Sequence, residues 1–148
     1  MGRVLVIGFG NPLRGDDGLG WVAAEHLLKQ GEALDVLAVH QLTPELAEPV
    51  SRADLVIFID ARRDGTPGEV SSEAVLPEPP AAFWHHVSPG ILLGSAQALY
   101  GRSPEAVLFS IAGEEFGYRE GLSPVVEAAL PDLLNQVLLR SKLSIPPI

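Results

Sequence analysis

Val4-Leu5-Val6-Ile7-Gly8-Phe9-Gly10-Asn11-Pro12-Leu13-Arg14-Gly15-Asp16-Asp17-Gly18-Leu19-Gly20 is the stretch on which the fold turns. Its first four residues are an apolar run of the kind that is buried on both faces of a parallel sheet. The glycines that follow let the backbone turn sharply without a Cβ penalty. A helical pattern takes over near Gly20. Open α/β sheets place their ligands at the carboxyl ends of their strands, which is where Asp16 and Asp17 fall. One of these two carboxylates is expected to cap the following helix, leaving the other free for a ligand.

A dinucleotide fingerprint does not fit this turn. That motif needs a third glycine for close packing of helix on strand, and Leu13 stands at its position. A pyrophosphate would also meet the two carboxylates, whose charge opposes it. A cation suits them better.

Working outward, four further segments read as strands: Leu34 to Gln41, Asp54 to Asp60, Glu69 to Leu76 and Ala106 to Ile111. The run from Leu55 to Ile59 is apolar throughout, whereas Glu69 to Leu76 alternates weakly and suits a sheet edge. Helical patterns cover Gly20 to Lys29, Pro44 to Arg52, Pro89 to Tyr100 and Ser123 to Leu139. Thr43-Pro44, Ser88-Pro89 and Ser123-Pro124 each pair an N-cap residue with a proline at the first helical position. Gly31 and Gly101 stand where helices end. Alternation of strand and helix predicts an α/β fold, a mostly parallel sheet of about five strands with helices on both faces. At 148 residues the chain reads as one domain, 1–148.

Composition narrows the chemistry. With no cysteine there is no disulfide, no thiolate metal site and no cysteine nucleophile. A metal would depend on carboxylate, imidazole and water. A net charge of −9, with Arg62-Arg63 as the one basic cluster, argues against a nucleic-acid partner. No apolar run approaches the roughly 18 residues of a membrane span. Nor does the start resemble a signal peptide, so the expected compartment is the cytoplasm. G-x-S-x-G, H-E-x-x-H and S-x-x-K are all absent. A hydrolase built on this chain would therefore use metal-activated water with carboxylate help.

The candidate site residues follow from these limits. Asp60 ends a buried strand, where a carboxylate is costly unless paired or bound to a cation. Parallel strands bring their carboxyl ends together, which places Asp60 near Asp17. His85 and His86 lie between the proline-rich loop from Pro77 to Pro80 and the helix start at Ser88-Pro89. Imidazole is both a common metal ligand and a proton shuttle near neutral pH. His40 ends the second strand and is a weaker candidate, and His26 falls mid-helix on what reads as a solvated face.

Taken together these segments resemble the [NiFe]-hydrogenase maturation endopeptidases. The resemblance rests on Val6-Ile7-Gly8-Phe9-Gly10-Asn11-Pro12-Leu13 with Asp16-Asp17-Gly18-Leu19-Gly20, and on the strand from Asp54 to Asp60 followed by Ala61. It continues through His85-His86-Val87-Ser88-Pro89, Leu99-Tyr100-Gly101, Phe109-Ser110-Ile111-Ala112-Gly113 and Gly121-Leu122-Ser123-Pro124. It implies a three-layer α/β/α sandwich and removal of a C-terminal extension from the hydrogenase large-subunit precursor after nickel insertion. It also implies that Asp17, Asp60 and His85 are the catalytic and metal-binding residues, with His86 the alternative one position along. Nickel would arrive with the precursor, and another divalent metal would suit the same ligands. Two other classes compete with this reading: a different metal-dependent hydrolase on a similar fold, and a non-catalytic factor that binds the nickel centre.

Overall fold

The structure is a computed structural model that describes residues 2–31, 33–80 and 87–143. Five strands form one sheet: β1 (Val4–Phe9), β2 (Asp35–Val39), β3 (Leu55–Arg62), β4 (Val70–Ala74) and β5 (Glu105–Ala112). Their order is β2-β1-β3-β5-β4. The first four in that order run parallel, and β4 pairs antiparallel with β5 at the edge. Four α-helices flank the sheet: α1 (Leu19–Gln30), α2 (Ala47–Ser51), α3 (Pro89–Tyr100) and α4 (Pro124–Leu143). None of the described helices is long and apolar enough to cross a membrane.

Strand periodicity builds the three layers. Side chains alternate across a strand, so Val4 and Val6 join one core with Leu55, Ile57 and Ile59, beneath α1 and α4. Leu5 and Ile7 join the other with Val56 and Phe58, beneath α2 and α3. Both faces of β1 and β3 are thus buried, which is why their sequences read as unbroken apolar runs.

The element boundaries follow their signals to within a few residues, and two departures stand out. Ser88 caps α3, its Oγ accepting from the Ile91 N–H at 3.1 Å, and Gly31 and Gly101 close α1 and α3 in the left-handed conformation. The segment expected as one helix from Pro44 to Arg52 is instead a 3-10 turn, Pro44–Leu46, followed by the short α2. Thr43 makes no side-chain cap there. The other departure is β3, which continues two residues past Asp60, through Ala61 and Arg62, paired with β5.

The missing third glycine of the dinucleotide motif has a functional equivalent further on. A Cβ on Gly20 would collide with the backbone of Phe9 and Ile59, so this glycine lets α1 lie directly on the sheet beside the carboxyl ends of β1 and β3. Gly20→Ala is expected to destabilise the protein by about 2–3 kcal/mol or more, because backbone cannot yield as a flexible side chain does. A urea unfolding midpoint within error of the parent's would show that α1 can shift outward instead.

Candidate functional site at the carboxyl end of the sheet

Beyond β1 the chain turns at Gly10, whose φ of +147° disfavours any residue with a Cβ and whose N–H donates to Val39 O at 3.1 Å. Asn11 then forms a local turn, its Oδ1 accepting from the Leu13 N–H at 2.9 Å. A 3-10 turn, Gly15–Gly18, leads into α1. This path carries Asp17 back over the strand end, where its Oδ2 accepts from the Asn11 N–H at 3.0 Å. Among the described residues its other oxygen has no hydrogen-bond donor.

Asp60 lies one residue beyond the Gly8–Ile59 pair of β1 and β3. Its Oδ1 accepts from the adjacent Ala61 N–H at 2.8 Å. Burial pushes its carboxyl up to about 7; the negative charge of Asp17 adds to the rise, while the Ala61 N–H and the charge of Arg63 oppose it. Asp17 and Asp60 line one open cavity of about 670 Å³ together with Asn11, Arg14, His40, Gln41 and Arg63. The strand-end argument thus brings the two predicted carboxylates together.

Asp16 and Asp17 divide their roles differently from the sequence-based expectation. Neither caps α1, whose N-terminus has no side-chain cap. Asp16 is fully buried instead, and it ties the loop after β5 to the start of α4. Its Oδ2 accepts from the Glu114 N–H at 2.8 Å, the Glu115 N–H at 2.9 Å and the Ser123 hydroxyl at 2.8 Å, and its Oδ1 from the Ser123 N–H at 2.7 Å. Burial works to raise its pKa, and these hydrogen bonds together outweigh that and hold the carboxyl below its ordinary value.

His85 and His86 fall outside the described residues. Among those that are described, no group of three His, Asp or Glu side chains is gathered closely enough to hold a metal ion. His40, the weaker candidate, does line the cavity, its ring set edge-on against Trp21 with centroids 4.9 Å apart. His26 is exposed on α1, as expected of a solvated face. Arg14 and Arg63 were not singled out by the sequence. An arginine after a glycine turn carries no local signal, and Arg62-Arg63 read only as a basic pair.

The same fold recurs in solved structures of hydrogenase-processing enzymes. The hydrogenase maturating endopeptidase HybD from Escherichia coli is 30% identical, with 97% of this chain and 94% of that one covered at a TM-score of 0.75. The chain belongs to the [NiFe]-hydrogenase maturation endopeptidases. A hydrogenase 2 maturation peptidase from a Thaumarchaeota archaeon is 27% identical over 95% of this chain and 99% of that one, at a TM-score of 0.73. An Escherichia coli endopeptidase is 28% identical over 93% and 90%, at a TM-score of 0.71. No family model and no curated protein matches the chain. The protein is therefore an endopeptidase of hydrogenase maturation, built on the three-layer α/β fold that its sequence predicted. A non-catalytic factor and an unrelated metal hydrolase both give way to that assignment.

Proposed function

We propose that this endopeptidase removes the C-terminal extension of a [NiFe]-hydrogenase large-subunit precursor once nickel has been inserted. Asp17 and Asp60 read the metal that the precursor carries, with His85 as the third ligand and His86 as its alternative. One observation carries the reading: two carboxylates from different strand ends line a single cavity, and neither forms an ion pair with a described cation. A cation between them would relieve both the burial of Asp60 and its repulsion from Asp17.

The donor set supports this use. Carboxylate oxygen and imidazole nitrogen bind divalent first-row ions, and fewer than four protein ligands leave positions open for substrate. Nickel held there would polarise the scissile carbonyl or a water. Asp17 is turned toward the cavity by its bond from Asn11, and so presents one oxygen without rearrangement. Asp60, whose carboxyl is pushed up by burial and the Asp17 charge in the metal-free protein, would be held ionised by a bound cation and so serve as its second carboxylate ligand. The working compartment of this reaction is the cytoplasm.

The test is a gel shift of nickel-loaded precursor. Asp17→Asn and His85→Ala are each expected to lower processing at least about 100-fold, the scale of losing a catalytic group. His86→Ala should slow it only modestly. Metal-free precursor should stay intact with the parent enzyme, because binding depends on the assembled centre. Normal processing by Asp17→Asn, or rapid cleavage of metal-free precursor, would overturn the proposal. His40 lines the same cavity, so processing that survives His85→Ala and His86→Ala but fails in His40→Ala would move the imidazole role to the second strand.

A further inference from the structure

The carboxylates share their cavity with two arginines that the proposed chemistry leaves unused. Arg14 belongs to the turn after β1, and Arg63 follows β3 directly. Each guanidinium is held over an aromatic ring of the loop that follows β5. Arg14 lies 4.8 Å from the centroid of Tyr118, and Arg63 lies 4.2 Å from that of Phe116. The backbone fixes the first of these pairs, since Arg119 N–H donates to Leu13 O at 3.1 Å and Gly15 N–H donates to Arg119 O at 2.9 Å.

Neither guanidinium makes a hydrogen bond or ion pair with a described residue, and the Arg14 Nε is buried without a partner. Arg62 makes the contrast. It binds Ser71, Ser110 at 3.0 Å and Glu69 at 2.7 Å, so its donors are consumed in holding the edge of the sheet. Stacking occupies the face of a guanidinium and leaves the N–H groups at its edge, in a fork that matches a carboxylate. Two such groups placed by aromatic rings, with no protein acceptor, are prepared for an acceptor that comes from outside.

We propose that Arg14 and Arg63 form an anion subsite that binds a carboxylate of the polypeptide substrate beside the Asp17–Asp60 pair. The subsite rests on the reading that this cavity receives the precursor. A carboxylate fits better than a phosphate, because two neighbouring carboxylates repel a doubly charged group more strongly. The cavity thus sorts charge, with cations going to the aspartates and an anionic group to the arginines. Precursor chains offer two sources of the carboxylate, an acidic side chain near the cleavage point and the terminus of the extension. Phe116 and Tyr118 act as positioning residues.

Two measurements test the subsite. In the first, three short peptides are titrated while the arginine Nε–H signals are followed by NMR: acetyl-Gly-Glu-Gly-amide, acetyl-Gly-Gly-Gly with a free terminus, and acetyl-Gly-Gln-Gly-amide. At least one carboxylate peptide should move the Arg14 and Arg63 signals saturably, and which one does so identifies the source. The glutamine peptide should move neither. Binding should weaken about tenfold or more in Arg14→Gln and Arg63→Gln and several-fold in Phe116→Leu and Tyr118→Leu, while Asp17→Asn should tighten it. In the second, Arg14→Gln and Arg63→Gln should each raise KM for nickel-loaded precursor about tenfold. The kcat should be little changed in Arg14→Gln, as expected for loss of uniform binding, whereas Arg63→Gln also removes a charge that acts on Asp60. Arg→Lys at either position should recover part of that loss, showing that the fold is intact. Signals unmoved by both carboxylate peptides, or an unchanged KM in both glutamine variants, would overturn the subsite. If the parent enzyme cleaves no precursor, the proposed function fails on its own and the peptide titration still decides the subsite.

Discussion

Asp16→Ala is expected to be the most destabilising single substitution at this end of the sheet. It strips the acceptor from three backbone N–H groups and the Ser123 hydroxyl, all near a fully buried position. Unsatisfied buried donors cost about 1–3 kcal/mol each, though relaxation and water recover part of the sum. A net loss of about 4 kcal/mol follows, which for a chain of this length lowers Tm by roughly 10 °C. Asp16→Asn should fall between, since one of its two terminal atoms can no longer accept. The sign of the pH dependence is fixed by the depressed folded-state pKa. The contribution is present above the ordinary carboxylate value of 3.8 and is lost as pH falls through the lower folded value. Thermal and urea unfolding of the two variants across pH 2–7 measures both effects. A loss under about 1 kcal/mol at pH 7 would mean that other contacts hold the loop after β5 without Asp16.

Asp60→Asn should abolish precursor processing and at the same time make the free protein more stable. A carboxyl raised from 3.8 to about 7 is held protonated in the fold but ionised in the unfolded chain across that interval. The unfolded state therefore releases the proton first, and stability falls as pH rises from about 4 to about 7. Three pKa units correspond to an upper bound of about 4 kcal/mol, and asparagine escapes all of it. The stability gain of Asp60→Asn should be small near pH 4, grow with pH and level off above about pH 7. Parallel urea titrations at several pH values check this, and a pH-independent difference would show that Asp60 is ionised throughout. Opposite signs for activity and stability are what a residue kept for chemistry rather than packing should give.

Much of this architecture was legible in the chain. The apolar runs of β1 and β3 specified strands covered on both faces, because period-two side chains buried on either side leave no polar position. Prolines and glycines marked α1 and α3 through backbone preferences that need no tertiary contact. The nearness of Asp17 and Asp60 was also legible, since parallel strands align their carboxyl ends whatever the loops do. Resemblance added the endopeptidase family, which single-chain periodicity has no means of giving.

Tertiary structure decided the rest. Asp16 and Asp17 are adjacent and chemically alike, and local rules allowed either to cap α1. Their roles separate because Asp16 meets partners 98 to 107 residues away, in a loop and a helix start with no periodic signal. Arg63 differs from Arg62 for the same reason: strand alternation turns Arg62 to Ser71 and Ser110, while Phe116 holds Arg63 at the cavity. The sequence by itself determined the layers and the strand ends, because both follow from local periodicity and punctuation. Which carboxylate is structural, and which cations remain available, depended on where one loop of the folded chain comes to lie.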